Sequence, residues 1–184
     1  MISIETLQPS RTFQNSLDQY HGSVLDRLDI PKGLMRQLRK TGLPLHSHYF
    51  VFEENPIHFY PSPQIRRYAM IPGDYLEIAA MEWVGKIAVE IRNGLVWQVF
   101  EREFRVSFMN SSISQYIECL GIWLQFYPQF QKYVREMLAA DSQFSLYENP
   151  EVYDPVRKKL EEIDPMAMQD ENNYWPRCCE PDIV

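Results

Sequence analysis

"VSFMNSSISQYIECLGIWLQF" occupies residues 106–126, and its reading decides what kind of domain the chain builds. An apolar run ending at Met109 meets a tight Asn110-Ser111-Ser112, and a long apolar-periodic run follows. A serine at such a junction can act as a nucleophile or can start a helix. A nucleophile elbow needs glycines on both sides of the serine, G-x-S-x-G, to make its sharp turn, and none stands here. Ser112-Ile113-Ser114-Gln115 instead has the S-x-x-Q form of a capping box. There the Ser112 hydroxyl accepts from the Gln115 backbone N–H and the Gln115 amide reaches back. Ile113, Tyr116, Ile117, Leu120, Trp123, Leu124 and Tyr127 then recur at helical spacing and form a core-facing stripe. The stretch reads as strand, cap and helix, the helix ending near Pro128 or kinking there and running toward Tyr133.

Upstream, "VGKIAVEIRNGLVWQVFEREFRVSFMN" (84–110) carries the clearest hairpin signal. A two-residue Asn93-Gly94 turn would pair Ile91 with Val96 and Val89 with Gln98, mixing the faces. A three-residue loop with Gly94 left-handed pairs Ile91 with Leu95, Val89 with Trp97 and Ile87 with Val99. That register gathers six apolar side chains on one face, so it is the expected one. A further strand follows from Phe104 to Met109.

Farther out the signals are shorter. "DIPKGLMRQLRKTGLP" (29–44) predicts a helix capped by Asp29, with Pro31 in its first turn and Leu34, Met35 and Leu38 as its apolar stripe. Gly42 and Pro44 stop it. Between Tyr49 and Pro63, aromatics alternate with polar residues, and Pro56, Pro61 and Pro63 predict only short extended pieces. Two more extended pieces are expected around a Pro72-Gly73 turn. Pro155 to Ile163 reads as an amphipathic helix, and a second short helical turn leads to Tyr174-Trp175-Pro176. The sequence thus predicts a single domain containing both strands and helices. Residues 1–22 are expected as a loosely held arm, 23–176 as the core and 177–184 as a tail.

Composition limits the function. With 184 residues, 45% of them hydrophobic and 14% aromatic, the chain fits one globular domain that needs no covalent staples. Three cysteines make no disulfide framework, the start lacks a signal peptide's pattern, and no apolar run approaches the ~20 residues of a membrane span, so a cytoplasmic protein is expected. The net charge of −7 is unevenly spread. Residues 1–48 hold six basic and four acidic side chains (+2), 49–135 eight and nine (−1), and 136–184 four and twelve (−8). Such a surface repels nucleic acid and attracts basic partners.

Catalytic and metal-binding patterns are weak. His46 and His48 could share one face of a strand, but no acid or cysteine nearby completes a tetrahedral set. Cys178-Cys179 is no C-x-x-C motif. Glu53-Glu54 and Glu161-Glu162 are sequence neighbours whose side chains diverge, so they form solvated faces. There is no Gly-rich phosphate loop. The expectation is no catalytic residue, no metal and no cofactor.

Three stretches, in order, resemble the SUKH superfamily of bacterial immunity proteins (the Smi/Knr-like fold). "LDIPKGLMRQLRKTGLP" is similar to its N-terminal helix and Gly-Leu-Pro ending. "GKIAVEIRNGLVWQVF" with "VSFMNSSISQYIECL" is similar to its central hairpin and Phe-x-Asn-Ser-Ser junction. "LEEIDPMAMQDENNYWP" is similar to the Asp-Pro and Trp-containing end of its fourth subgroup. The resemblance spans Leu28 to Pro176. It departs at Ala79 to Lys86, "AAMEWVGK", where relatives carry a glycine-rich center and only Gly85 is retained. The resemblance implies an α+β fold with a central, largely antiparallel sheet packed with helices, and a non-catalytic protein that binds a cognate polymorphic toxin, often a nuclease or deaminase. Partner-binding candidates are Glu161, Glu162, Asp164, Asp170, Glu171, Tyr174 and Trp175, which suit a basic toxin surface. A regulatory adaptor with the same fold and a small hydrolase using Ser112 or a histidine are the competing readings.

Overall fold

The computed structural model describes residues 6–47, 49–52, 55–81 and 84–180. Among these residues six strands form one antiparallel sheet in the order β1-β2-β3-β4-β5-β6, each strand beside the next in sequence. They are β1 (Tyr49–Phe52), β2 (Asn55–Tyr68), β3 (Ile71–Met81), β4 (Gly85–Glu90), β5 (Val96–Phe100) and β6 (Arg105–Asn110). Three helices precede the sheet: α1 (Arg11–Asn15), α2 (Gly22–Leu25) and α3 (Lys32–Thr41). Four follow it: α4 (Ile113–Ala140), α5 (Asp154–Ile163), α6 (Pro165–Met168) and α7 (Tyr174–Cys178). The fold is α+β with a central antiparallel sheet, as the resemblance implies.

One face of the sheet makes the main core. Ile57, Leu76, Ile78, Ile87, Val89, Val96 and Met109 pack there against Leu34 and Leu38 of α3 and the stripe of α4. That stripe is buried at Ile113, Tyr116, Ile117, Leu120, Trp123 and Tyr127, the positions its spacing predicts. α4 does not end at Pro128 but continues to Ala140. A proline inside a helix costs about 3 kcal/mol through a lost hydrogen bond and a ring clash. Here Phe126, Tyr127 and Phe130 bury around it, and Phe130 packs at a tilt 5.0 Å from Tyr153, so aromatic packing offsets that cost.

The structure corrects several local expectations. The hairpin pairs Val89 with Val96, Ala88 with Trp97 and Ile87 with Gln98, one residue away from the expected register. Its loop is Ile91-Arg92-Asn93-Gly94, closed by the Gly94 N–H donating to the Glu90 carbonyl at 2.8 Å. Gly94 is left-handed, with φ 76°, as the three-residue reading required. The slip sends Trp97 and Val99 to the opposite face and puts Gln98 on the core side. A one-residue slip flips every side chain, and it is tolerated because both faces of β5 bury apolar residues.

β2 is one long strand rather than short pieces. Its pairing jumps from Phe59↔Ala79 to Gln64↔Glu77, so residues 60–63 bulge out opposite Ile78. Pro61 and Pro63 sit in that bulge, where a missing N–H costs no ladder bond. The turn into β3 is Ala69-Met70, closing Tyr68↔Ile71, and Pro72-Gly73 lies within β3. α3 has no side-chain cap, so Asp29 does not cap it; its end at Gly42, with φ 70°, matches the expectation.

The expected loose arm is anchored from residue 7 onward. Leu7, Phe13 and Tyr20 are buried in the main core, and Ser10 caps α1. Gly121 of α4 makes room for this segment, since a Cβ there would lie 2.8 Å from the Pro9 side chain and 2.9 Å from Phe13. At the other end Cys178 and Cys179 are also buried, so the chain packs at least that far.

Candidate partner-binding face

The strand–helix corner is a structural device. Ser112 is extended, its hydroxyl accepts from the Gln115 N–H at 3.3 Å, and the same hydroxyl donates to Gln115 Oε1 at 2.7 Å. The Gln115 side-chain amide thus reaches back to the cap, as expected, through its oxygen and the Ser112 hydroxyl. Its Nε2 donates to the Ile163 carbonyl at 3.0 Å, fastening the start of α4 to the end of α5.

Beside this cap sits a buried polar knot. Asp164 accepts from the Ser111 N–H at 2.6 Å, the Ser111 hydroxyl at 2.8 Å and the Asn110 amide at 3.1 Å. Trp175 Nε1–H donates to Asn110 Oδ1 at 2.8 Å, and Asn110 also reaches Cys119 Sγ at 3.4 Å. The knot thus joins β6, α4, the α5–α6 junction and α7, and every polar group named has a partner. Buried polar groups that satisfy one another in this way fix a single arrangement of the elements they join.

Three of the sequence-predicted partner residues therefore hold the fold and are not on its surface. Asp164 is 1% exposed, Trp175 0% and Tyr174 6%. Trp175 packs on Trp123 and Tyr116, and the Tyr174 hydroxyl lies 3.8 Å from Met81 Sδ. Glu161, Glu162, Asp170 and Glu171 are exposed. Glu162 pairs with Lys159 at 2.9 Å, which holds its carboxyl below the usual range. The Asn172 backbone N–H, at 2.8 Å, and the Asn172 amide do the same for Asp170.

The helices cover one face of the sheet. On the other face a second buried cluster consists of Tyr68, Tyr75, Ala88 and Val99, flanked by Met70, Ile71, Trp97 and Val106, with no helical residue among them. Glu77, 7% exposed, accepts from the Tyr68 hydroxyl at 2.8 Å and lies 3.7 Å from Lys86 Nζ. Lys86 donates to the Tyr60 hydroxyl at 3.1 Å, and that bond raises its pKa. This face is consequently a firm platform with polar cross-links.

A cleft flanks this platform at each end. One, of about 720 Å³, has Trp97, Phe108, Leu95 and Met166 for its apolar walls and Asp170 and Glu171 on its rim. Trp97 and Phe108 meet edge to face at 5.3 Å on paired positions of β5 and β6. The α6–α7 loop is drawn over this edge by the Ser107 hydroxyl, which donates to the Asn172 carbonyl at 3.0 Å. The other cleft, of about 500 Å³, lies among His58, Met81, Gly85, Lys86, Phe100 and Glu101. Gly85 is needed there, because a Cβ would stand 2.6 Å from the Val99 carbonyl oxygen.

The structure thus unites Asp170 and Glu171 with Trp97, Phe108 and Met166, and leaves Glu161 and Glu162 on α5 outside the linings of both clefts. Trp97 and Phe108 escaped the sequence reading because the expected register turned Trp97 into the core. No local signal could have found them, since Gln98 and Ser107, paired and polar, are buried on the core side, where polarity alone would place Trp97.

Ser112 bonds to Gln115 and Ser114, and no group of three or more His, Cys, Asp or Glu among the described residues could hold a metal ion. His48 lies outside the described residues. No helix among them is long and apolar enough to cross a membrane.

The family model described as SUKH-4 immunity protein matches residues 12–181. The chain belongs to that family. The match takes in the whole sheet, all of α3 to α7 and both clefts, and extends beyond the Leu28–Pro176 span that the motifs marked. No curated protein and no solved structure matches the chain. The SUKH-4 family assignment carries immunity to a toxin as its general function and implies a non-catalytic protein that meets a protein partner.

Proposed function

We propose that this SUKH-4 protein is a cytoplasmic immunity protein that binds a cognate polymorphic toxin, a nuclease or deaminase, and blocks it by covering its working surface. The observation that carries this reading is the family match over residues 12–181. The cleft between the β5–β6 edge and the α6–α7 segment supports it. An apolar floor of Trp97, Phe108 and Met166 rimmed by Asp170 and Glu171 suits a basic protein surface that buries an apolar side chain at its center. Glu161 and Glu162 extend the acidic surface on α5 and act by long-range attraction. A stable complex of this kind buries about 1,200–2,000 Å² in total, more than either cleft alone offers, so the footprint includes the strands around it. The protein acts one for one with its toxin and uses no cofactor.

Co-expression tests the reading. Cells producing the toxin domain encoded beside this chain's gene should survive when the chain is present and die when it is absent. An adaptor with the same fold gives no such protection, and death in both cases would end the proposal.

A further inference from the structure

β5 and β6 are joined by a tight 3-10 turn, Glu101–Glu103, followed by Phe104. Phe104 has φ 49° and ψ 41°, in the left-handed region where a Cβ crowds the next carbonyl oxygen and where glycine or asparagine is the usual occupant. Among the described residues it is the one non-glycine with positive φ. Its ring is also 73% exposed, more than any other large apolar side chain described. The turn's other phenylalanine is treated differently. Phe100 is 9% exposed, and the Arg105 guanidinium covers its ring at 3.7 Å while pairing with Glu103 at 3.2 Å. The chain thus shields one aromatic ring with a cation and holds the next one out in water on a backbone that disfavours it. In the free protein both features are unfavourable, and they coincide in one residue.

We propose that Phe104 is an anchor that inserts into an apolar pocket on the toxin, with the Glu101–Glu103 turn as its rigid pedestal. This rests on the immunity reading and gives it a specific contact. Strained backbone and an exposed aromatic ring together mark binding sites, where the cost in the free state is recovered in the complex. The turn continues the two strands that floor the Trp97–Phe108 cleft. Phe100, Glu101, Arg102 and Glu103 also line the cleft beside His58 and Lys86, so the anchor stands at the edge of that cleft and shares one footprint of about 800 Å² per partner with it.

The test uses the full chain and the toxin domain encoded beside its gene, with binding measured by calorimetry. Phe104→Gly removes the ring and relieves the backbone; Phe104→Asn removes the apolar ring while keeping a side chain that tolerates the left-handed region. Both variants should keep their Tm or gain up to about 4 °C, and both should bind about 30-fold more weakly or worse, as loss of a central anchor requires. Wild type that binds, with both variants within about threefold of it, would overturn the anchor and leave the immunity reading standing. A Tm drop of more than about 5 °C in both variants would make the ring a structural element and also overturn it. Wild type that fails to bind would remove the immunity reading and the anchor with it.

Discussion

Asp164→Ala separates a fold-holding carboxylate from a partner-binding one. The side chain is buried and accepts three hydrogen bonds, at 2.6, 2.8 and 3.1 Å. A hydrogen bond to a charged acceptor contributes about 1.5–3 kcal/mol, and a buried donor left alone costs about 1–3 kcal/mol. Ser111 is only half-buried, so water can replace part of what its two donors lose. The Asn110 amide is fully buried and can turn only by giving up the Trp175 indole. The net loss is therefore about 3–5 kcal/mol, from the lost charged-acceptor bonds and the one buried donor left alone. For a chain of this length each kcal/mol moves Tm by about 2–4 °C, so Tm should fall by about 6–20 °C. Asp164→Asn keeps one acceptor oxygen but turns an N–H₂ toward the donors, and should lose a similar or somewhat smaller amount. Thermal and urea unfolding followed by circular dichroism measure both. At a temperature where Asp164→Ala is still folded, its toxin affinity should stay within about threefold of wild type, because the carboxylate never reaches the surface. A variant of undiminished stability with lost binding would refute this account of the knot and return Asp164 to the partner.

Other consequences follow from the same geometry. Gly121→Ala should cost about 1–3 kcal/mol, since its Cβ would overlap Pro9 and Phe13, and limited proteolysis should then cut the first 20 residues sooner. Asp170→Lys with Glu171→Lys should slow toxin association about tenfold at low salt and flatten its salt dependence in stopped-flow traces; unchanged rates would remove the acidic rim from the encounter. Cys119, Cys178 and Cys179 are buried, and burial pushes all three thiols up, Cys179 to about 12. At pH 8 they should resist a thiol reagent in the native protein and react together on unfolding, whereas rapid native labelling would show that the C-terminal helix opens.

What the sequence revealed was local. The Ser112 cap and the α4 stripe were legible because their partners lie within three or four residues. The ends of α3 and α5 were legible for the same reason. The hairpin register was not, because Ile87, Val89, Val96, Trp97 and Val99 are all apolar and either face could have been the core. What decides is the sheet's second cluster, where Val99 and Trp97 meet Tyr68 and Tyr75, and that needs three more strands to be seen. The candidate site failed for a related reason. Asp164 beside a proline looks like a helix stop on an acidic surface, and its partners Asn110 and Ser111 lie 54 and 53 residues away. Trp175 finds Asn110 across 65 residues. Asp170 and Glu171 are exposed, as an acidic surface requires. The prolines of β2 misled because a bulge can hold them inside a strand, and no short-range signal announces a bulge of that length.

Titrating the toxin's own activity with purified chain tests the central claim most directly. Activity should fall in a straight line to zero at one equivalent, and denaturing and refolding the complex should return intact, active toxin. Inactivation by a small fraction of an equivalent, with the toxin recovered in altered form, would mean that the chain turns over as an enzyme and would contradict the account.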